Sequence, residues 1–403
     1  MKKITLIFTL VVCSIVAESQ INCDGNRYKS SIFNDVNLQS NIVYGNNTSF
    51  ANVAQNLNLD FYEPQGDQVA ERPLLILAHG GSFIFGNKTD AYMTVMCTRL
   101  AKMGYAVASI QYRLGYNIFA ADSVQIYNAC LRAVQDMKAA VRFFRKSYSE
   151  GNPYKINNDY IFAGGVSAGA VAAVHLAYLN KLEEAPAVIN LITLGGLEGN
   201  SGNVGYSSKV AGVINLCGAI GRLAWIENND VPIVSMHGTA DNVVPYGTDF
   251  YVLINNPIIK LNGSGSIHNY AANLSLVEDL KTWAGVGHTP FIDNAVYMDS
   301  VLAFVPPFLA DRIICNNLLT NETITSNNNL LAFPNPCQTL LNVAHFPNDA
   351  THLSITNITG QVVYFSNFSN QNIDVSNLSD GLYWLTIQTK QGNQSVKFQK
   401  STM

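Results

Sequence analysis

The stretch FAGGVSAGAV (residues 162–171) places Ser167 between Gly165 and Gly169 and follows it with further small residues. This G-x-S-x-G pattern is typical of a serine nucleophile on a tight turn between a strand and a helix. It also fits a small residue packed in a Gly/Ala-rich spot. The pattern alone does not choose between the two, so the decision depends on the segments around it.

Those segments alternate between predicted strands and helices. The predicted strands are residues 57–64, 73–81, 105–113, 159–166, 210–220, 231–238 and 280–285, and the predicted helices are residues 91–104, 122–148, 168–181 and 292–312. Most of the strands are apolar runs, as expected when both faces of a sheet are buried. We therefore predict an α/β fold with a mostly parallel sheet and helices on both faces.

Ser167 follows the strand 159–166 and opens an Ala-rich helix, which is the setting of a nucleophile elbow. A serine hydroxyl needs a base, and that base needs an orienting acid. His288 follows the last predicted strand and Asp241 follows the strand 231–238, where ligands bind in such sheets. The order Ser167, Asp241, His288 is that of hydrolases built on such sheets, not that of chymotrypsin or subtilisin.

The chain has seven histidines, and a single histidine is more often structural than catalytic. His79 in a Gly-rich loop and His175 within a helix are expected to be structural, and His237 ends a strand. His268 lies in an insertion, and His345 and His352 lie in the C-terminal region. Position therefore favours His288 as the base.

A Gly-rich loop, AHGGSF (78–83), follows the predicted strand 73–81. Glycine lets a backbone approach a substrate carbonyl closely. We expect the backbone N–H groups of Gly81, Ser82 and Ala168 to donate to the oxyanion of a tetrahedral intermediate.

Residues 57–312 resemble an α/β-hydrolase of the carboxylesterase and hormone-sensitive-lipase type. The resemblance lies in HGGSF, GVSAG, HGTADNVVPY and GVGHTPF, with Ser82 in place of a third glycine and Val166 in place of an acidic residue. It implies a serine carboxylic-ester hydrolase that needs no cofactor and acts through an acyl-enzyme on Ser167.

The N-terminus, MKKITLIFTLVVCSIVAESQIN, carries two lysines, an apolar run over residues 4–17 and a small-residue cleavage site. This predicts a signal peptide over residues 1–19. The alternative, a membrane anchor, is disfavoured because the run is shorter than the roughly 20 residues needed to span a bilayer. The mature chain is expected to be exported and to have no membrane span.

Removal of the signal peptide leaves six of the seven cysteines, an even number in an exported protein. Cys23 and Cys315 bracket the central region and could tie its ends together. No cysteine or histidine pair has zinc-site spacing, so no metal site is predicted. A net charge of −4 also makes nucleic acid an unexpected partner.

The composition of the sequence changes after residue 315. Residues 316–330 are Asn-rich and predict a linker between residues 20–315 and a C-terminal domain over residues 331–403. The short strands and polar turns of that domain predict a small all-β sandwich.

The segments AFPNP, SDGLYWLTI and VKFQK of this domain resemble the C-terminal sorting domain of the type IX (Por) secretion system. The resemblance implies that residues 331–403 engage this secretion machinery and that the protein is secreted or held at the cell surface. The alternative is a plain sandwich for adhesion or carbohydrate binding.

The substrate class is left open by the sequence. The ester could be a small molecule or part of a polymer, such as feruloyl or acetyl groups on xylan, or a polyester. A serine peptidase and a non-catalytic surface-binding protein are less favoured alternatives. Segments 194–208 and 248–275 are expected to form the rim of the site.

Overall fold

A computed structural model describes residues 23, 25–253, 256–315, 330–344, 346–347, 350–357, 361–366, 372–389 and 392–402. The proposed signal peptide and all but the last residue of the proposed linker lie outside these ranges. The chain divides into two compact units, Met1–Asn317 and Leu318–Met403. In the described part of the chain, no helix is both long and apolar enough to cross a bilayer.

The first unit is an α/β structure. Its strands are β1 (Val36–Thr48), β2 (Ala54–Pro64), β3 (Arg72–Ala78), β4 (Ala106–Ile110), β5 (Ile156–Val166), β6 (Gly212–Leu216), β7 (Ala219–Ile220), β8 (Ile233–Gly238), β9 (Thr248–Leu253), β10 (Asn256–Gly263) and β11 (Glu278–Trp283). Its helices are α1 (Ala91–Lys102), α2 (Ser123–Ser149), α3 (Ala168–Tyr178), α4 (Leu191–Leu194), α5 (Ser264–Asn273) and α6 (Ala295–Leu309).

Eight strands form one sheet in the order β1-β2-β4-β3-β5-β6-β8-β11. The strands from β4 to β11 in this order are parallel, whereas β1 and β2 pair antiparallel at one edge. The mostly parallel sheet predicted from the sequence is thereby confirmed.

Alternate side chains of β3 enter two different apolar cores. Leu74 and Ile76 pack in a core that includes residues of α2 and α3, and Leu75 and Leu77 pack in a core with residues of α1 and α6. All seven residues of β3 are buried. Because successive side chains of a strand point to opposite faces, this continuous apolar run places helices on both faces of the sheet.

Two parts of this unit were not predicted. Strand β1 lies in the Asn-rich segment and is largely exposed, so it lacks the apolar run that marks the buried strands. Strands β9 and β10 form an antiparallel hairpin, and β10 also pairs with β7. The hairpin and α5 occupy the insertion that precedes the last strand of the sheet.

A disulfide joins Cys23 to Cys315 and so connects the two ends of the described part of the first unit. This confirms the pairing suggested by their positions. Cys97, Cys130, Cys217 and Cys337 are free thiols, so the even count does not lead to full pairing. A crosslink between distant residues stabilises a fold mainly by restricting the unfolded chain.

The second unit is all-β. Its strands are β12 (Leu331–Phe333), β13 (Leu340–Ala344), β14 (Ala350–Asn357), β15 (Val362–Ser366), β16 (Asn372–Asp374), β17 (Gly381–Thr389) and β18 (Gly392–Lys400). They form sheets in the orders β12-β13-β16 and β15-β14-β17-β18. Leu341 and Val343 of the first sheet share a core with Ile355, Leu385 and Phe398 of the second, which makes the unit a sandwich.

Candidate active site

Ser167 lies on a sharp turn between β5 and α3. Its φ of 54° and ψ of −117° are outside the regions that L-residues ordinarily occupy. The turn is possible because its neighbours are glycines: a Cβ on Gly165 would lie 2.5 Å from the carbonyl oxygen of Ala78, and one on Gly169 would lie 2.2 Å from it. Strained backbone of this kind is concentrated at functional sites.

The structure brings Ser167, His288 and Asp241 together at the carboxyl ends of β5, β11 and β8. His288 Nε2 lies 2.8 Å from Ser167 Oγ, and His288 Nδ1 lies 2.6 Å from Asp241 Oδ2. A carboxylate accepts hydrogen bonds, so Nδ1 carries the proton and donates it to Asp241. Nε2 is then unprotonated and accepts the Ser167 hydroxyl proton.

Asp241 accepts four hydrogen bonds. His237 and His288 donate to Oδ2, and the backbone N–H groups of Val243 and Val244 donate to Oδ1. Burial of the carboxyl raises its pKa, but the hydrogen bonds from His237 and His288 outweigh burial and hold the pKa well below its usual range. Asp241 is therefore an anion in a buried site.

His237 was not predicted to belong to the site. Its Nε2 lies 3.0 Å from Asp241 Oδ2 and 3.1 Å from the carbonyl oxygen of Val244, so this nitrogen carries the proton. Its Nδ1 accepts from the Ser264 hydroxyl at 2.7 Å. His237 is thus a positioning residue for Asp241. The sequence signal that could have identified it is its place at the end of β8, four residues before Asp241.

Replacement of His237 by leucine removes one donor from the buried carboxylate. A hydrogen bond to a charged group contributes about 1.5–3 kcal/mol, so we expect kcat of the reaction at this site to fall about 10- to 100-fold. His237→Gln keeps an N–H donor and should recover part of the loss. Steady-state kinetics of both variants test this: equal losses in the two would mean that the hydrogen bond is not the reason.

The loop after β3 lies against Ser167. A Cβ on Gly80 would lie only 3.3 Å from Cβ of Ser167. Gly81 has a φ of 109° and Ser82 a φ of 53°. The Gly81 carbonyl accepts from Ile84 and Phe85, which fixes the turn. The backbone N–H groups of Gly81, Ser82 and Ala168 donate no hydrogen bond to any acceptor among the described residues.

Two further histidines are structural, as predicted. Nδ1 of His79 lies 2.7 Å from the carbonyl oxygen of Gly80, and its ring stacks on Tyr112. Burial lowers the pKa of His79. His175 donates from Nδ1 to the carbonyl of Val171 and accepts the N–H of Gly221 at Nε2. Burial lowers the pKa of His175 to about 4, so this side chain is neutral.

Cys217 lies beside the acid and the base. Potential metal-ligand atoms of Cys217, Asp241 and His288 are within 4.8 Å of one another. However, Asp241 Oδ2 and His288 Nδ1 face each other at hydrogen-bonding distance. Burial also raises the pKa of the Cys217 thiol to about 12, so it is not a thiolate. The group fits an acid–base pair next to a neutral thiol better than a metal site.

Two cavities meet at Ser167. One is apolar and lies between α2, α3 and the β9–β10 hairpin. The other is lined by the Gly80–Ser82 loop, Tyr92 and His288. Tyr251 and Leu261 of the hairpin line the apolar cavity, as expected for the insertion. Of segment 194–208, the described lining includes only Leu197, which lies in a neighbouring chamber.

Two family models match the chain. Residues 59–221 match the model of BD-FAE, an α/β-hydrolase esterase family. Residues 331–401 match the model of a secretion system C-terminal sorting domain. No curated protein sequence matches the chain significantly.

Solved structures with the same fold include esterases. Thermogutta terrifontis esterase 2 phosphoramylated by tabun aligns with a TM-score of 0.50 and 20% identity over 68% of this chain and 94% of that chain. A truncated form of a carbohydrate esterase from gut microbiota aligns with a TM-score of 0.48 and 20% identity over 68% and 96%. By the family models, residues 59–221 are an α/β-hydrolase region of the esterase type, and residues 331–401 are a C-terminal sorting domain of the Por secretion system.

Proposed function

We propose that this protein is an exported serine hydrolase that cleaves carboxylic esters through an acyl-enzyme on Ser167. The observation that carries the proposal is the hydrogen-bonded chain from Ser167 through His288 to the buried anion of Asp241. In this arrangement the base is held in the tautomer that accepts the serine proton.

In the first half-reaction, Ser167 Oγ attacks the ester carbonyl carbon while His288 Nε2 takes the hydroxyl proton. Asp241 stays ionised and stabilises the imidazolium that forms. The tetrahedral intermediate collapses, His288 gives the proton to the leaving oxygen, and the alcohol departs. The acyl group remains bonded to Ser167 Oγ.

In the second half-reaction, water attacks the acyl carbonyl and gives a proton to His288. Collapse of the second intermediate breaks the bond to Ser167 Oγ, which recovers its proton from His288, and the carboxylic acid leaves. In both intermediates the N–H groups of Gly81, Ser82 and Ala168 donate to the oxyanion. One such donor contributes roughly 100- to 1000-fold in rate.

The proposed place of action is outside the cell or on its surface. The match of residues 331–401 to a secretion sorting domain supports secretion, with the type IX machinery as the partner of this domain. Transfer through a signal peptide over residues 1–19 and then across the outer membrane is part of the proposal. The substrate would be a small-molecule ester or an ester on a polymer.

The test of ester specificity is turnover of matched esters and amides by the full exported chain. We expect p-nitrophenyl acetate, butyrate and octanoate to be hydrolysed, and the corresponding p-nitroanilides to be far poorer substrates. Faster turnover of peptide amides would favour the peptidase alternative. Inertness towards every ester and amide would contradict the proposal and favour a binding protein.

A further inference from the structure

We propose that the apolar cavity at Ser167 binds the acyl chain of the ester, and that it selects saturated chains of up to about eight carbons by a constriction at its inner end. This inference rests on the proposed function, because it concerns the acyl group that Ser167 would carry.

The position of His288 decides which cavity takes which half of the ester. His288 must protonate the leaving oxygen, so the alcohol must lie on its side of Ser167. His288 lines the cavity that also contains Tyr92 and the Gly80–Ser82 loop, but it does not line the apolar cavity. The acyl chain is therefore directed into the apolar cavity, between α2, α3 and the hairpin.

The walls of this cavity fit a hydrocarbon. None of its described lining residues is charged, and the large aliphatic and aromatic ones include Phe83, Ile126, Val171, Val244, Ile259 and Leu261. The polar atoms of His175 are already used, because its two ring nitrogens bond to Val171 and Gly221. Burial raises the pKa of the Cys130 thiol to about 12, so this wall position is neutral as well.

A second, smaller chamber adjoins this cavity. Tyr127, Cys130 and His175 line both spaces and so stand between them, and we call this constriction the neck. The inner chamber ends among apolar residues that include Leu179 and Trp225. A chain that reaches the neck must either stop there or pass between these three side chains.

The distance from Ser167 to the neck sets the expected chain length. Along α3, Ala168 lies beside Ser167 and His175 lies at the neck, seven residues further, which at about 1.5 Å per residue is roughly 10 Å. An extended hydrocarbon chain with bonds of about 1.5 Å advances roughly 1.25 Å per bond. The cavity therefore holds about eight carbons before the neck.

The experiment is a chain-length series of p-nitrophenyl esters from acetate to dodecanoate, with the leaving group kept constant. Each buried methylene is expected to raise kcat/KM up to about fourfold, so octanoate should exceed acetate by at least about tenfold. Dodecanoate should fall below octanoate. Cys130→Ala, which widens the neck, should raise the ratio of dodecanoate to octanoate about fivefold or more.

Cys130→Phe, which fills the neck and part of the cavity, should lower the ratio of octanoate to acetate about tenfold or more. Cys97→Ala is the matched control, because Cys97 is a buried thiol in α1 on the other face of the sheet. If Cys130→Phe does not fold, the dodecanoate-to-octanoate ratio of Cys130→Ala tests the inference. Because ratios of kcat/KM between esters are compared, a general loss of activity does not resemble a change in chain-length preference.

The outcomes separate the two proposals. A wild type that prefers acetate or a feruloyl ester to octanoate, with ratios unchanged in the Cys130 variants, would overturn the acyl-chain inference and leave the serine hydrolase intact. A wild type that hydrolyses no ester would instead refute the proposed function. A shift of the length optimum with both Cys130 variants, and none with Cys97→Ala, is the result we expect.

Discussion

Ser167→Ala is expected to lower kcat for p-nitrophenyl butyrate by about 10⁴- to 10⁶-fold. Alanine removes the only atom that can form the acyl-enzyme, and the site then retains only oxyanion donors and substrate binding. The change is small in volume at a buried position, so the fold should be preserved. Steady-state kinetics, with circular dichroism and thermal unfolding to check the fold, provide the measurement.

A matched control is Ser30→Ala, since Ser30 is an exposed serine whose hydroxyl donates to the backbone carbonyl of Asn26. It should retain wild-type kinetics. A loss of less than about tenfold in Ser167→Ala would mean that another group, or direct attack by water, performs the reaction. The acyl-enzyme mechanism would then be wrong even if the protein is an esterase.

Asp241→Asn is expected to lower kcat by about 10⁴-fold, with little change in the volume of the side chain. The carboxylate is surrounded by donors: two backbone N–H groups face Oδ1, and two imidazole nitrogens face Oδ2. An asparagine keeps its oxygen towards the fixed backbone donors and turns its NH₂ group to the histidines. Because that NH₂ group is a donor, it favours the His288 tautomer in which Nδ1 is unprotonated and Nε2 carries the proton. A protonated Nε2 can no longer accept the proton of the Ser167 hydroxyl.

The measurement is kcat over a range of pH for the wild type and the variant. Because hydrogen bonds hold the pKa of Asp241 well below its usual range, the wild-type carboxylate stays ionised where an ordinary aspartate, with a pKa of about 3.9, begins to take up a proton. Loss of wild-type activity near that pH should therefore not arise from Asp241. A loss below about tenfold in Asp241→Asn would show that another group orients His288.

Residues at strand ends could be predicted from the sequence because a parallel sheet gathers them at one edge. Ser167 and Asp241 follow β5 and β8, which are largely buried and marked by apolar runs, whereas His288 follows β11, which is mostly half-buried. Edge strand β1 escaped prediction because its exposed residues are polar and follow no simple alternation. A strand could thus be predicted from the sequence when it is buried, because burial requires a run of apolar residues. Intrinsic β-propensity is a weaker signal.

The interactions that support the site were harder to predict. His237 acts through hydrogen bonds to Asp241 and Ser264, and Ser264 lies in an insertion whose path the sequence does not reveal. The same is true of the acyl cavity. Its walls come from α2, α3 and the β9–β10 hairpin, which are distant in sequence and meet only when the insertion folds over the end of the sheet.

Mass spectrometry after treatment with an organophosphate such as paraoxon shows whether Ser167 is the nucleophile. Such reagents phosphorylate an activated serine and leave a stable adduct that peptide mapping can locate. We expect one phosphoryl group on the peptide that contains Ser167, loss of ester turnover in proportion to labelling, and no labelling of Ser167→Ala. Full esterase activity in an unlabelled protein, or a label on a different residue that tracks inactivation, would contradict this expectation.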